Sequence, residues 1–92
     1  MTLEKLYSII QQRIKLQPKG SYVASLYKQG EDRILQKIGE EATEVIISAK
    51  GKNKRKITEE VADLYFMTLI LLVVKEIRIK KVLGELEKRR SE

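Results

Sequence analysis

Cysteine and histidine are both missing from this 92-residue sequence. Without cysteine there are no disulfides and no thiol chemistry. Without histidine the chain lacks the usual general base and the commonest metal ligand. No apolar run is long enough for a membrane. Leu64 to Val74 is almost wholly apolar, yet it falls far short of the ~20 residues that span a bilayer. The N-terminus does not read as a signal peptide, because Met1 to Ile14 is amphipathic and carries Glu4, Lys5 and Arg13.

What is present is charge and aliphatic periodicity. The net charge of +6 suits an anionic partner such as nucleic acid, an acidic surface or a polyphosphate, without choosing among them. The length fits a single domain, residues 1–92, with room for a core but little stability to spare. The expectation is a soluble, cytoplasmic protein.

The apolar spacing is helical throughout. Thr2 caps a first helix with Leu3, Leu6, Tyr7, Ile10 and Ile14 in register, broken by Gln17-Pro18-Lys19-Gly20. Ser21 caps a short helix through Tyr27, with a strand as the competing reading of this aromatic and β-branched run. A long helix is expected from an Asp32 cap to Lys50, with Gly51 as its stop. Gly39 inside it implies close approach of a ligand or backbone. The basic stretch Lys52 to Lys56 reads as a solvated turn leading into the next helix, rather than a phosphate contact. That helix has Ile57, Val61, Leu64, Thr68 and Leu72 on one side and is apolar all round from Leu64. A last amphipathic helix carries Ile79, Val82, Leu83 and Leu86. Three flanking elements are too few to cover the apolar helix. The predicted architecture is an all-α bundle of four to five helices, dimeric, with that helix packed across an isologous interface.

Two acidic segments stand out, Glu40-Glu41-Ala42-Thr43-Glu44 and Glu60-Val61-Ala62-Asp63. At 100° per residue, Glu41 falls beside Ile34 and Val45, Glu44 lies at the border of that stripe and Glu40 is further round. Glu60 and Asp63 share a face with Met67, Ile70, Leu71 and Val74. The pairs Glu41/Glu44 and Glu60/Asp63 are therefore expected to line the inner faces of consecutive helices. Two like charges about 4 Å apart cost roughly 4 kcal/mol at an effective dielectric near 20. Protonation, Lys or Arg partners, or a bound cation relieves that cost. All-oxygen donors suit Mg²⁺ or Mn²⁺ rather than zinc. A solvated acidic helix face is the plain alternative. Nearby, Lys28, Arg33 and Lys37 can neutralise phosphate oxygens, and Ser21 and Ser25 can donate hydrogen bonds to them. Tyr22 and Tyr27 are expected in core or interface packing more than in stacking on a base.

These residues resemble a known family. Gly20-Ser21-Tyr22-Val23-Ala24-Ser25-Leu26, then Lys28, Gly30, Asp32-Arg33 and Gln36-Lys37-Ile38-Gly39-Glu40-Glu41-Ala42, are similar to phosphoribosyl-ATP pyrophosphohydrolases of histidine biosynthesis. Glu44, Glu60 to Leu64 and Val82 to Leu86 extend the resemblance over nearly the whole chain. The Glu-Glu-x-x-Glu and Glu-x-x-Asp pattern is also that of the wider all-α, MazG-like nucleoside triphosphate pyrophosphohydrolases. The resemblance implies a dimeric, Mg²⁺-dependent helix bundle that converts phosphoribosyl-ATP and water to phosphoribosyl-AMP and pyrophosphate. It implies Glu41, Glu44, Glu60 and Asp63 as metal ligands and Glu40 as a further ligand or base. Ser21, Tyr22, Ser25, Lys28, Arg33 and Lys37 correspond to the substrate-binding region. Many members carry His where Met67 stands here, and Met neither titrates nor ligates a hard ion.

Three functions follow in order of preference. The first is hydrolysis of phosphoribosyl-ATP by a Mg²⁺-activated water, with no nucleic acid and no membrane involved. The second is a house-cleaning enzyme acting on free nucleoside triphosphates. The third is a basic helical dimer that binds nucleic acid, whose affinity would fall steeply with salt.

Overall fold

Three side-chain caps start three of the helices. The Thr2 hydroxyl accepts the Lys5 N–H at 3.0 Å, Ser21 that of Ala24 at 3.1 Å and the Asn53 amide oxygen that of Lys56 at 3.1 Å. Each satisfies a donor that the first helical turn leaves free. The computed structural model describes all residues from Met1 to Glu92. Its elements are α1 (Leu3–Leu16), α2 (Tyr22–Gln29), α3 (Glu31–Ala49), α4 (Lys54–Val74) and α5 (Ile79–Lys88). The chain is all-α, with five helices, and α2 is a helix rather than a strand.

The expected Asp32 cap is corrected. Gly30 ends α2 and starts α3 in a single residue, at φ 101° and ψ 168°. Only glycine adopts that backbone without strain, so the helix begins at Glu31, with Glu31 and Asp32 in its first turn. There their charges favour the positive end of the helix dipole.

The core draws on every helix. Tyr7 and Ile10 come from α1, Val23 and Leu26 from α2, Ile34 from α3, Met67, Leu69 and Ile70 from α4, and Ile79 from α5. The Tyr7 hydroxyl donates to the Ile77 carbonyl at 2.9 Å, tying α1 to the turn before α5. The side of α4 expected to carry Ile57, Val61, Leu64, Thr68 and Leu72 is only half-buried. Its deepest side is the one it shares with the carboxylates, where Glu60, Met67 and Ile70 are all buried. Tyr22 and Tyr27 are exposed, so core packing is excluded for both.

The most extensive packing in the molecule joins α3 to α4. A short turn, Lys50 to Asn53, folds them into an antiparallel pair. Counting outward from that turn, Glu44 is nearly level with Glu60, and Glu41 with Asp63. The hairpin therefore brings the two acidic segments face to face.

Candidate metal centre

Glu41 from α3 and Glu60 and Asp63 from α4 converge, each offering a carboxylate oxygen within 4.8 Å of the others. Their burial is graded. Glu60 is buried, Glu41 half-buried and Asp63 exposed, so the group sits at the mouth of the α3–α4 groove. This corrects the expectation of two inward pairs. Residues three apart are 60° apart on a helix, so a pair straddles the edge of the groove. Glu60 and Glu41 point in, while Asp63 and Glu44 stay at the rim.

Glu44 lies outside the close trio. It faces α4 nonetheless, near enough for its charge to act on Lys56. Glu40 is further round and exposed, as the helical wheel predicts, and it lines a shallow groove of about 490 Å³ with Gly39 and Glu44. A Cβ built on Gly39 would meet nothing within 4 Å, so no backbone approaches it closely.

Cations answer the acids on both helices. Lys37 lies 3.3 Å from Glu41 and 3.7 Å from Glu40, and Arg33 lies 3.8 Å from Glu40. Lys56 lies 2.8 Å from Glu60. The hydrogen bond to Glu41 raises the Lys37 pKa, with the Tyr22 phenol and the Glu41 and Glu40 charges adding and burial opposing. The hydrogen bond to Glu60 likewise raises that of Lys56. On sequence Lys56 belongs to a solvated stretch that forms the inter-helix turn and the start of the next helix, with no partner assigned. The signal that finds it is its i,i+4 spacing to Glu60 once α4 is known to start at Lys54. Asp63, by contrast, takes part in none of the chain's salt bridges.

The largest cavity, about 670 Å³, opens where α1 turns into α2 and is lined by Gln17, Lys19, Ser21, Tyr22, Ser25 and Lys28. It gathers four of the expected substrate-binding residues, while Arg33 and Lys37 lie with the carboxylates. Tyr22 lines the cavity and is one of the lesser contributors to the rise in the Lys37 pKa. Gln17 was not anticipated. Its amide donates to the Ile14 carbonyl at 2.8 Å, and its buried oxygen has no partner within the protein. Its backbone is left-handed, φ 50° and ψ 52°, at the C-terminal cap of α1.

The trio fits a hard divalent cation. All its donors are oxygens, and adjacent ligands on an octahedral ion with bonds of ~2.1 Å stand roughly 3 Å apart, so the three side chains would draw in by up to about 2 Å to close on the ion. Three carboxylates also leave coordination positions for water or phosphate, as Mg²⁺ sites do.

Residues 3–90 match the model of the family described as phosphoribosyl-ATP pyrophosphohydrolase. The chain belongs to that family. It is 46% identical over 92 residues to the phosphoribosyl-ATP pyrophosphatase of Methanocella arvoryzae, covering 97% of this chain and 96% of the relative. It is 47% identical to that of Leptospira biflexa, covering 97% of each. To that of Clostridium acetobutylicum it is 44% identical, covering 95% of this chain and 79% of the relative.

Proposed function

We propose that the α3–α4 carboxylate trio is the catalytic centre of a phosphoribosyl-ATP pyrophosphohydrolase. The chain is an enzyme of histidine biosynthesis that hydrolyses phosphoribosyl-ATP to phosphoribosyl-AMP and pyrophosphate. The observation that carries the site assignment is the convergence of Glu41, Glu60 and Asp63 within 4.8 Å. Those three would hold Mg²⁺ or Mn²⁺, with Glu44 joining from the rim. When bound, the ion neutralises phosphate oxygens and acidifies a neighbouring water.

The chain's own groups divide the remaining work. Glu40 is the carboxylate left over once the trio is committed, and Arg33 and Lys37 hold it in place. It accepts the proton of the attacking water. Lys37, charged at any physiological pH, screens Glu40 from Glu41. The cavity at the start of α2 takes the phosphoribosyl end, with Ser21, Ser25 and Lys28 as its polar contacts and the exposed Tyr22 ring as a flat wall.

A second copy of the chain completes the assembly. Only 11 of 92 residues are buried, and the radius of gyration is 14.3 Å, where about 12 Å is usual for this length. Leu35 and Ile46 share one angular position on α3 and are 45% and 64% exposed, while Ile47, about 100° further round, is 59% exposed and Tyr65 on α4 is 58% exposed. A dimer buries this apolar surface.

The test is pyrophosphate release from phosphoribosyl-ATP, ATP and deoxynucleoside triphosphates, each with Mg²⁺ and with EDTA. The expected result is Mg²⁺-dependent turnover confined to phosphoribosyl-ATP. Equal turnover of the plain triphosphates would make it a house-cleaning enzyme instead.

A further inference from the structure

The cation nearest the trio is the one that sequence left in a solvated turn. Lys56 projects from the first turn of α4 and makes the shortest salt bridge in the chain, 2.8 Å to Glu60. The two partners differ in freedom. The Glu60 side chain is 9% exposed and held by its surroundings, whereas that of Lys56 is 55% exposed. Lys37 on the opposite helix is 20% exposed and tied to two carboxylates at once. Of the two lysines, Lys56 is the one that can leave. Glu44 and Glu59 lie near enough to act on it, so it rests in a negative field on both sides.

Charge counting shows what its departure does. The trio carries three negative charges, and Lys37 and Lys56 together offset two of them. A dication arriving at Glu60 meets an ammonium already hydrogen-bonded there. It must compete with that ammonium, and it binds a more negative site once Lys56 has gone.

Resting on the metal reading above, we propose that Lys56 is a displaceable counter-ion. It holds Glu60 in the metal-free protein and exchanges that carboxylate for a phosphate oxygen when the ion arrives together with polyphosphate. An ion alone gives Lys56 no new partner and binds weakly. An ion carrying polyphosphate supplies one, so ion and substrate bind with positive coupling. Lys56 thereby favours the metal–nucleotide complex over the free metal.

Titration calorimetry tests this on wild type, Lys56→Met, Lys56→Arg and Arg55→Met, with Asp63→Asn marking the site. Arg55 bonds only Glu59, so its loss removes one charge without touching the trio. The probes are Mn²⁺ alone and inorganic pyrophosphate at saturating Mn²⁺. Lys56→Met should bind Mn²⁺ alone about fivefold more tightly and pyrophosphate about fivefold more weakly, the size expected for one nearby, partly solvated charge. Lys56→Arg should stay near wild type, and Arg55→Met should change either affinity less than about twofold. Unchanged or weaker Mn²⁺ binding by Lys56→Met, where wild-type binding is abolished by Asp63→Asn, would overturn the counter-ion role alone. Equal effects of Arg55→Met and Lys56→Met would also overturn it, leaving only net charge. No Asp63-dependent Mn²⁺ binding in wild type would overturn the metal reading and the proposal together. Urea unfolding of each variant confirms that the proteins compared are folded.

Discussion

In the proposed site, Asp63 would serve the metal at the expense of the fold. Its carboxylate stands within 4.8 Å of two others and has no cation of its own, whereas Glu41 and Glu60 each have a lysine. Asp63→Asn should therefore stabilise the metal-free protein, by up to about 1 kcal/mol for an exposed group in high dielectric. The same change should lower Mg²⁺-dependent activity by more than about 100-fold, since losing even an outer-shell partner of a metal costs 10–100-fold. Urea melts in EDTA and pyrophosphate release read the two effects separately. Lys37 adds a pH signature. Its pKa is raised above the ordinary 10.5 by the bond to Glu41, so its contribution is fully present below that value. As pH climbs through the raised folded pKa, the contribution is lost. Thermal melts from pH 9 to 12 should show an alkaline loss of stability in wild type that is smaller in Lys37→Met.

Among the elements, α3 gives the clearest test. Gly39 sits mid-helix, where Ala would be favoured by about 1 kcal/mol, and a Cβ there meets nothing in the protein. Gly39→Ala should raise stability by roughly that amount. A ligand passing over the adjacent groove would make the same change raise KM, which steady-state kinetics would show. The helices were largely legible in the sequence because their signals are local. Thr2 and Ser21 have the chemistry of a cap and act as caps, and the alternation of apolar positions is enough to place α1 and α4. The start of α3 was misread because Asp32 has the same chemistry as a cap. The joint instead depends on the backbone freedom of Gly30, which leaves no side-chain pattern to read. The acidic segments were legible as a converging cluster, but their depth was not. Helical angles show that Glu60 and Asp63 share a face, whereas the width of the groove between α3 and α4 decides that one is buried and the other exposed. Lys56 was lost in a run of like charges for the same reason, since its partner depends on where the helix starts.

At the scale of the whole molecule, no helix is long and apolar enough to cross a membrane. The proposed dimer would bury the exposed apolar side chains of α3 and α4. Sedimentation equilibrium should give twice the 10.7 kDa chain mass. Ile46→Asp, on the exposed face of α3, should shift that toward the monomer and lower the melting temperature, because the lone chain buries so little. The proposed dimer face and the proposed site share the α3–α4 hairpin, which carries all three carboxylates on one side and Leu35, Ile46 and Tyr65 on another. The measurement that bears most directly on the account is anomalous diffraction from crystals soaked in Mn²⁺. The account predicts a peak about 2.2 Å from oxygens of Glu41, Glu60 and Asp63. A peak elsewhere, or none with those side chains turned into solvent, would contradict it.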